Sequence, residues 1–177
     1  MFQKPMMPSA SSYILKNLYI CSMALEIERK FLIEKDLWYA LKKPIGEDIT
    51  QAYLVNEPGR VIRIRVKASD AFITIKGPTE NATRHEYEYS IPGEDALEIL
   101  DLFGTHKIEK IRYKIEFHGH LWEVDEFFGD NDGLILAEIE LQYPEESFDK
   151  PTWLGEEVTE DHRYYNSYLA EHPYTKW

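Results

Sequence analysis

An α+β protein built on an eight-stranded antiparallel barrel with helices packed outside it is the fold class this 177-residue sequence predicts. Three observations carry that expectation. Eight segments alternate with the period of two expected of strands, and seven of them place charge on one parity and apolar residues on the other. The charged parity holds both signs: two strands supply paired carboxylates and two supply Arg/Lys pairs, which would neutralise one another inside a closed sheet. Two substantial helical patterns and one short one could cover the apolar outer face. Taken singly, each strand is an ordinary antiparallel strand with one wet face. The joint pattern points to a polar interior.

The elements follow in order. Residues 25–33 read as a strand with Glu26, Glu28 and Lys30 on one face. Residues 36–43 are short and helix-like, with Leu37, Ala40 and Leu41 on one side and Pro44 as the stop. Residues 50–55 are strand-like, and 56–59 make a turn. Residues 60–67 then set Arg63, Arg65 and Lys67 against Ile62, Ile64 and Val66. Residues 71–76 place Thr74 and Lys76 opposite Ile73 and Ile75 and end at Gly77-Pro78. In 84–91, Arg84, Glu86 and Glu88 share one parity, Tyr87, Tyr89 and Ile91 the other.

Pro92 opens the strongest helix, with Glu94 and Asp95 in its first turn, a stripe of Leu97, Leu100 and Phe103, and Gly104 as its expected C-terminal cap. Residues 110–117 and 121–128 flank a three-residue link, His118-Gly119-His120, suited to a hairpin. The first alternates Lys110, Arg112 and Lys114 with Ile111, Tyr113 and Ile115; the second alternates Glu123 and Asp125 with Trp122 and Val124. A Gly-Asp-Asn-Asp-Gly loop leads into 134–141, which carries Glu138 and Glu140. Thr159 reads as the N-cap of a last helix over 160–171, closed by Pro173.

Composition narrows the function. With 44% hydrophobic residues and no linker-like stretch, residues 23–177 read as one domain. A net charge of -12 opposes general binding to nucleic acid or an anionic membrane, although a local basic pocket is allowed. The single cysteine, Cys21, excludes an internal disulfide and suits a reducing cytoplasm. Residues 1–22 read as a disordered or non-native extension, with Met23 as an alternative start just ahead of Glu26. Outward-parity aromatics among the twelve Tyr and four Trp would allow a homodimer, though core packing is their commoner use.

The chemistry-bearing groups are of two kinds. Glu26, Glu28, Glu138 and Glu140 are oxygen ligands suited to Mg²⁺ or Mn²⁺, if the two Glu-x-Glu strands meet across a barrel. Arg63, Arg65, Lys76, Lys110 and Arg112 are anion ligands, because guanidinium forks bind phosphate oxygens in pairs and lysines add point charge. No Walker-type glycine loop, nucleophile elbow or zinc-like histidine spacing is present, and His118-x-His120 reads as an exposed turn pair. Phosphate would therefore be held by side chains on strands.

Those residues fall into a known order. Glu26-Ile-Glu-Arg-Lys30 resembles the Glu-x-Glu-x-Lys signature that opens the CYTH superfamily, the triphosphate tunnel metalloenzymes. Arg63-Ile-Arg65, Ile75-Lys76-Gly77, Glu86-Tyr-Glu88, Lys110-Ile-Arg112, Trp122-Glu-Val-Asp125 and Ala137-Glu-Ile-Glu140 follow in the family's sequence, and Trp153-Leu-Gly-Glu-Glu-Val-Thr159 looks like its short bacterial branch. The resemblance implies a triphosphate tunnel, with Glu26, Glu28 and Glu140 ligating the metal and Glu138 contributing directly or through water. It further implies Arg63, Arg65, Lys76, Lys110 and Arg112 on the phosphates, Lys30 deep in the tunnel, Asp125 orienting the basic groups, and Glu86 and Glu88 fixing a water or second metal. Arg163 is the nearest match to a basic residue that the family's C-terminal helix often supplies. The implied activity is hydrolysis of inorganic triphosphate, with nucleoside triphosphates as poorer substrates. Adenylate cyclisation, thiamine triphosphate hydrolysis and non-catalytic polyphosphate binding are the alternatives.

Overall fold

Two-residue turns join several of the antiparallel strands, and each has a residue at positive φ: Gly59, Ala68, and His118 with Gly119. In the computed structural model, which describes residues 27–80 and 83–177, Phe117 pairs with His120 across His118 (φ 47°) and Gly119 (φ 87°). Both central residues are left-handed, as the twist of a tight hairpin demands, so the link is one residue shorter than the sequence suggested. Gly59 (φ 74°) serves the same purpose between Glu57 and Arg60.

The strands are β1 (Ile27–Ile33), β2 (Glu47–Glu57), β3 (Arg60–Lys67), β4 (Asp70–Glu80), β5 (Thr83–Ser90), β6 (Thr105–Phe117), β7 (His120–Phe128), β8 (Ile135–Leu141) and β9 (Leu154–Glu157). They form one antiparallel sheet in the order β5-β4-β3-β2-β6-β7-β8-β1-β9. Arg112 on β6 reaches Glu138 on β8 at 3.0 Å, straight across the intervening β7. Such a contact puts both side chains on the same face of the sheet, the concave one. Among the described residues no hydrogen-bonded pairing joins β5 to β9, so the expected eight-stranded barrel is found as a nine-stranded sheet open along that seam.

Three apolar clusters fix the curvature. On the convex side, Phe31, Ile33, Trp122, Val124, Ala137 and Ile139 pack under Trp38 and Trp153, with Trp38 supplied by helix α1 (Lys35–Tyr39). Helix α2 (Gly93–Leu102) lays Ala96 and Leu100 on Ala52, Ile64 and Ala71 of β2–β4. The third cluster joins Ile108, Phe127, Leu134 and Leu136 to Leu169 and Ala170 of helix α3 (Asn166–Glu171), and plugs one end of the concave face. Among the described residues, no helix is long and apolar enough to cross a membrane.

Several expectations change. Gly77-Pro78 does not end β4; the strand continues through a register shift between Lys76 and Thr79, a place where proline is tolerated. Gly104 is not a left-handed cap. It permits close packing, because a Cβ there would stand 2.4 Å from the Leu100 carbonyl oxygen and 3.1 Å from the Ala52 Cβ. The last helix is shorter than predicted: a 3-10 turn, His162–Tyr164, and an extended Tyr165 precede α3. Thr159 caps no helix, since its Oγ1 accepts from the Lys30 backbone N–H at 3.0 Å and donates to Glu157 at 2.8 Å. The extension read over 1–22 and the proposed ligand Glu26 lie outside the described residues.

Candidate active site on the concave face

Register decides what the charged parities become. β1 lies beside β8 with Glu28 opposite Glu140 and Lys30 opposite Glu138, so the two acidic strands meet as neighbours and not across a barrel. Directly opposed residues share a face. The concave face therefore starts with a carboxylate pair at one end and an ammonium-carboxylate pair one step deeper.

Lys30 Nζ donates to Glu138 Oε1 at 2.5 Å and lies 2.9 Å from Glu28 Oε2. Burial works against the lysine's charge, but the two carboxylates outweigh it and its pKa rises. Glu138 is buried and spends its other oxygen on Arg112 Nη2. Burial resists its ionisation, yet Lys30, Lys110 and Arg112 hold it far below the ordinary carboxylate range. Glu28 differs: partial burial and then the Glu138 charge push its pKa up to about 7, against the pull of Lys30.

The next strands complete a fixed cage. Asp125, 1% exposed, receives Lys110 Nζ and a fork from Arg112, with Nε and Nη2 each at 2.7 Å. Arg112 also pairs with Glu123 through Nη1. Burial alone would weaken the Arg112 charge, but its bonds to Asp125 and the nearby Glu138 and Glu123 raise its pKa. Lys110 goes the other way: full burial lowers its pKa despite Asp125.

On the opposite wall, Arg63 Nη2 donates to Thr74 Oγ1 at 3.1 Å and lies 3.7 Å from Glu88, to which Thr74 donates at 2.9 Å. Arg65 Nε donates to Gln51 Oε1 at 3.3 Å. Burial, then the charges of Arg63 and Arg112, lower the Arg65 pKa to about 10. Lys76 pairs with Glu86 at 2.8 Å. Arg65 on β3 thus feels Arg112 on β6, with β2 between them, and the two share one face of the sheet.

The structure joins Lys30, Lys110, Arg112, Asp125 and Glu138 in one ion-pair network, and sets Arg63 with Glu88, Arg65 with Gln51, and Lys76 with Glu86 on the strands beyond it. Arg163 is not part of this group; it folds back on Asp161 at 3.0 Å and faces Trp177. His118 is exposed in the turn and pairs with Asp149, as expected, whereas His120 opens β7, is largely covered and pairs with Glu146. Among the described residues no three carboxylates or imidazoles converge as a metal cluster. The hard oxygen donors Glu28 and Glu140, opposed in register, fit a divalent cation of the Mg²⁺ type, whereas both Glu138 oxygens are engaged by cations.

Reading the sequence missed Gln51, Thr74, Glu123 and Tyr165, whose ring stands 5.8 Å from Lys30 Nζ. Parity sets Glu123 beside Asp125 and Thr74 beside Lys76, but gives neither a role in the site. Gln51 carried no such signal, because its strand has no alternating charge.

Comparison with known proteins agrees with this geometry. The CYTH domain family matches residues 24–171. An inorganic triphosphatase of Acetivibrio thermocellus is 45% identical over 153 residues, covering 86% of this chain and 97% of the relative. One of Nitrosomonas europaea is 34% identical over 153 residues, covering 82% and 96%. The crystal structure of an inorganic triphosphatase superposes with a TM-score of 0.65 at 32% identity, covering 84% of this chain and 95% of that one. The chain belongs to the CYTH domain family, and its concave sheet is that family's tunnel fold.

Proposed function

We propose that this protein hydrolyses inorganic triphosphate to pyrophosphate and orthophosphate, with Mg²⁺ or Mn²⁺ held by Glu26, Glu28 and Glu140. The observation that carries the reading is the β1–β8 register, which sets a metal-suited carboxylate pair one step from a buried cation cage. The relatives named inorganic triphosphatases support the same substrate.

Each group has a task in that reaction. Lys30, Arg63, Arg65, Lys76, Lys110 and Arg112 would bind phosphate oxygens and stabilise the charge that gathers on the leaving phosphate, from positions fixed before substrate arrives. Asp125 holds Lys110 and Arg112 in place. Glu86 and Glu88, more accessible and on β5, with β4 between them and Arg63, would orient the attacking water in line with the terminal phosphorus. A bound divalent cation supplies Lewis-acid polarisation of the phosphate oxygens. Nucleoside triphosphates would be poorer substrates, because the cage described above is built of phosphate-binding groups.

The test is phosphate release from inorganic triphosphate, ATP, thiamine triphosphate and pyrophosphate, each with Mg²⁺ and Mn²⁺, alongside an assay for cyclic AMP. Inorganic triphosphate is expected to turn over fastest, and Glu28→Ala and Arg65→Ala to lose most turnover with circular dichroism unchanged. Cyclic AMP as the main product, or full activity in both variants, would overturn the reading.

A further inference from the structure

At the inner end of the concave face, where the charged residues give way to the apolar plug, Gln51 is completely buried. It stands level with Arg65 on β3 and with Ile108 on β6. Its Oε1 accepts from Arg65 Nε, but its Nε2 has no acceptor in the protein, and Arg63 Nε on the next strand is orphaned in the same way. The Tyr53 hydroxyl lies near Gln51, Arg63 and Arg65 without being placed to satisfy Nε2.

Buried N–H donors are almost always paired, because leaving one unpaired forfeits its hydration for nothing. Two orphans on adjacent strands of one wall, beside two arginines, are best satisfied by a small entering group with several acceptor oxygens. A phosphate group has them. A neutral donor also suits this place for an electrostatic reason: Arg63 and Arg112 already disfavour the Arg65 charge, and an amide adds a contact without adding repulsion.

We propose that Gln51 is a substrate-binding, specificity-determining residue: Nε2 donates to an oxygen of the innermost phosphate, while Oε1 holds Arg65 by its Nε and leaves the terminal guanidinium nitrogens for the same anion. The inference rests on the triphosphatase reading. It also deepens it, because the apolar plug that contains Ile108, Phe127 and Leu136 begins at the level of Gln51. Gln51 on β2 and Glu140 on β8 stand on strands separated by β6 and β7, so on this proposal one anion bridges the two, which a three-phosphate chain does more readily than a two-phosphate chain. Gln51 would thus help select the length of the phosphate chain.

The experiment compares the full-length protein with Gln51→Met, which keeps the volume but removes donor and acceptor, and Gln51→Glu, which keeps the acceptor for Arg65 and removes the donor. Binding of triphosphate and of pyrophosphate to chelator-treated protein is measured by calorimetry, and phosphate release is measured separately with Mg²⁺. Both variants are expected to bind triphosphate about ten- to a hundred-fold more weakly, the scale of a hydrogen bond to a charged group, with pyrophosphate affinity unchanged. Wild-type affinity in Gln51→Glu would reduce Gln51 to a prop for Arg65 and overturn the proposal. Equal losses for both anions would overturn it too. Should either variant misfold, the side-chain amide resonances of Gln51 in the wild-type protein must shift on adding triphosphate, and their failure to do so sinks the idea. If wild-type protein binds triphosphate without hydrolysing it, while the variants lose that binding, the activity fails and the Gln51 assignment stands. If it binds none, both fall.

Discussion

Asp125 illustrates how much one buried carboxylate can hold. It is the shared counter-ion of Lys110 and Arg112, and the Lys110 side chain is only 2% exposed. Asp125→Ala would strand that ammonium without a partner, which costs about 3–5 kcal/mol in buried pairs. Urea unfolding is expected to show a loss of that size, with turnover falling as well. Glu28 makes the opposite case, since its folded pKa of about 7 lies above the ordinary 4.5. Stability linked to this group is fully present below pH 4.5 and is lost as pH rises through 7. Glu138, held below its ordinary value, contributes stability above that value and loses it in acid. Melting temperatures in chelator should therefore fall from pH 5 to pH 8 more steeply in wild type than in Glu28→Gln. Parallel curves would mean that Glu28 is not strained in the metal-free protein.

Among the elements, α2 depends on close approach to the sheet. Gly104→Ala would drive a Cβ into the Leu100 carbonyl and against Ala52, and overpacking of this kind costs about 1–3 kcal/mol. Thermal melting should show it, with the basic cage unaffected because α2 packs on the convex face. Strand boundaries were readable where charge alternates: Arg60–Lys67 is found where the sequence places it, since Arg63 and Arg65 mark one face and Ile62 and Ile64 the other. β9 was not readable. Its four residues offer little alternation, and it is a strand because Leu154 and Glu157 pair with Ile33 and Phe31, with Gly155 close to the Leu32 carbonyl. The last helix was overextended because Thr159, a good cap by type, is used instead by the Lys30 backbone. For the site, parity revealed which residues share a face but not which strands are neighbours. The acidic strands were therefore expected across a barrel, when β1 and β8 lie side by side.

At the scale of the whole molecule, an acidic chain of net charge -12 keeps a basic cage by pairing most of its cations with carboxylates: Lys30 with Glu138, Lys76 with Glu86, and Lys110 and Arg112 with the shared Asp125. The Arg112–Glu138 contact that spans β7 therefore does more than mark a shared face. It makes the tunnel wall resemble an ion-exchange resin in its self-paired form. Each phosphate oxygen that enters draws a cation away from a carboxylate, and each carboxylate so released becomes available to a divalent cation. Binding of the two is then mutually reinforcing, and by linkage the factor must be the same in both directions. The imido analogue of triphosphate should bind about 5- to 150-fold more tightly with saturating Mg²⁺ than without it, after correction for the complex formed in solution. Equal affinities would mean that the internal pairs survive substrate entry. The protein would then respond weakly to either ion alone and strongly to their pair, a form of coincidence detection written into the wall itself.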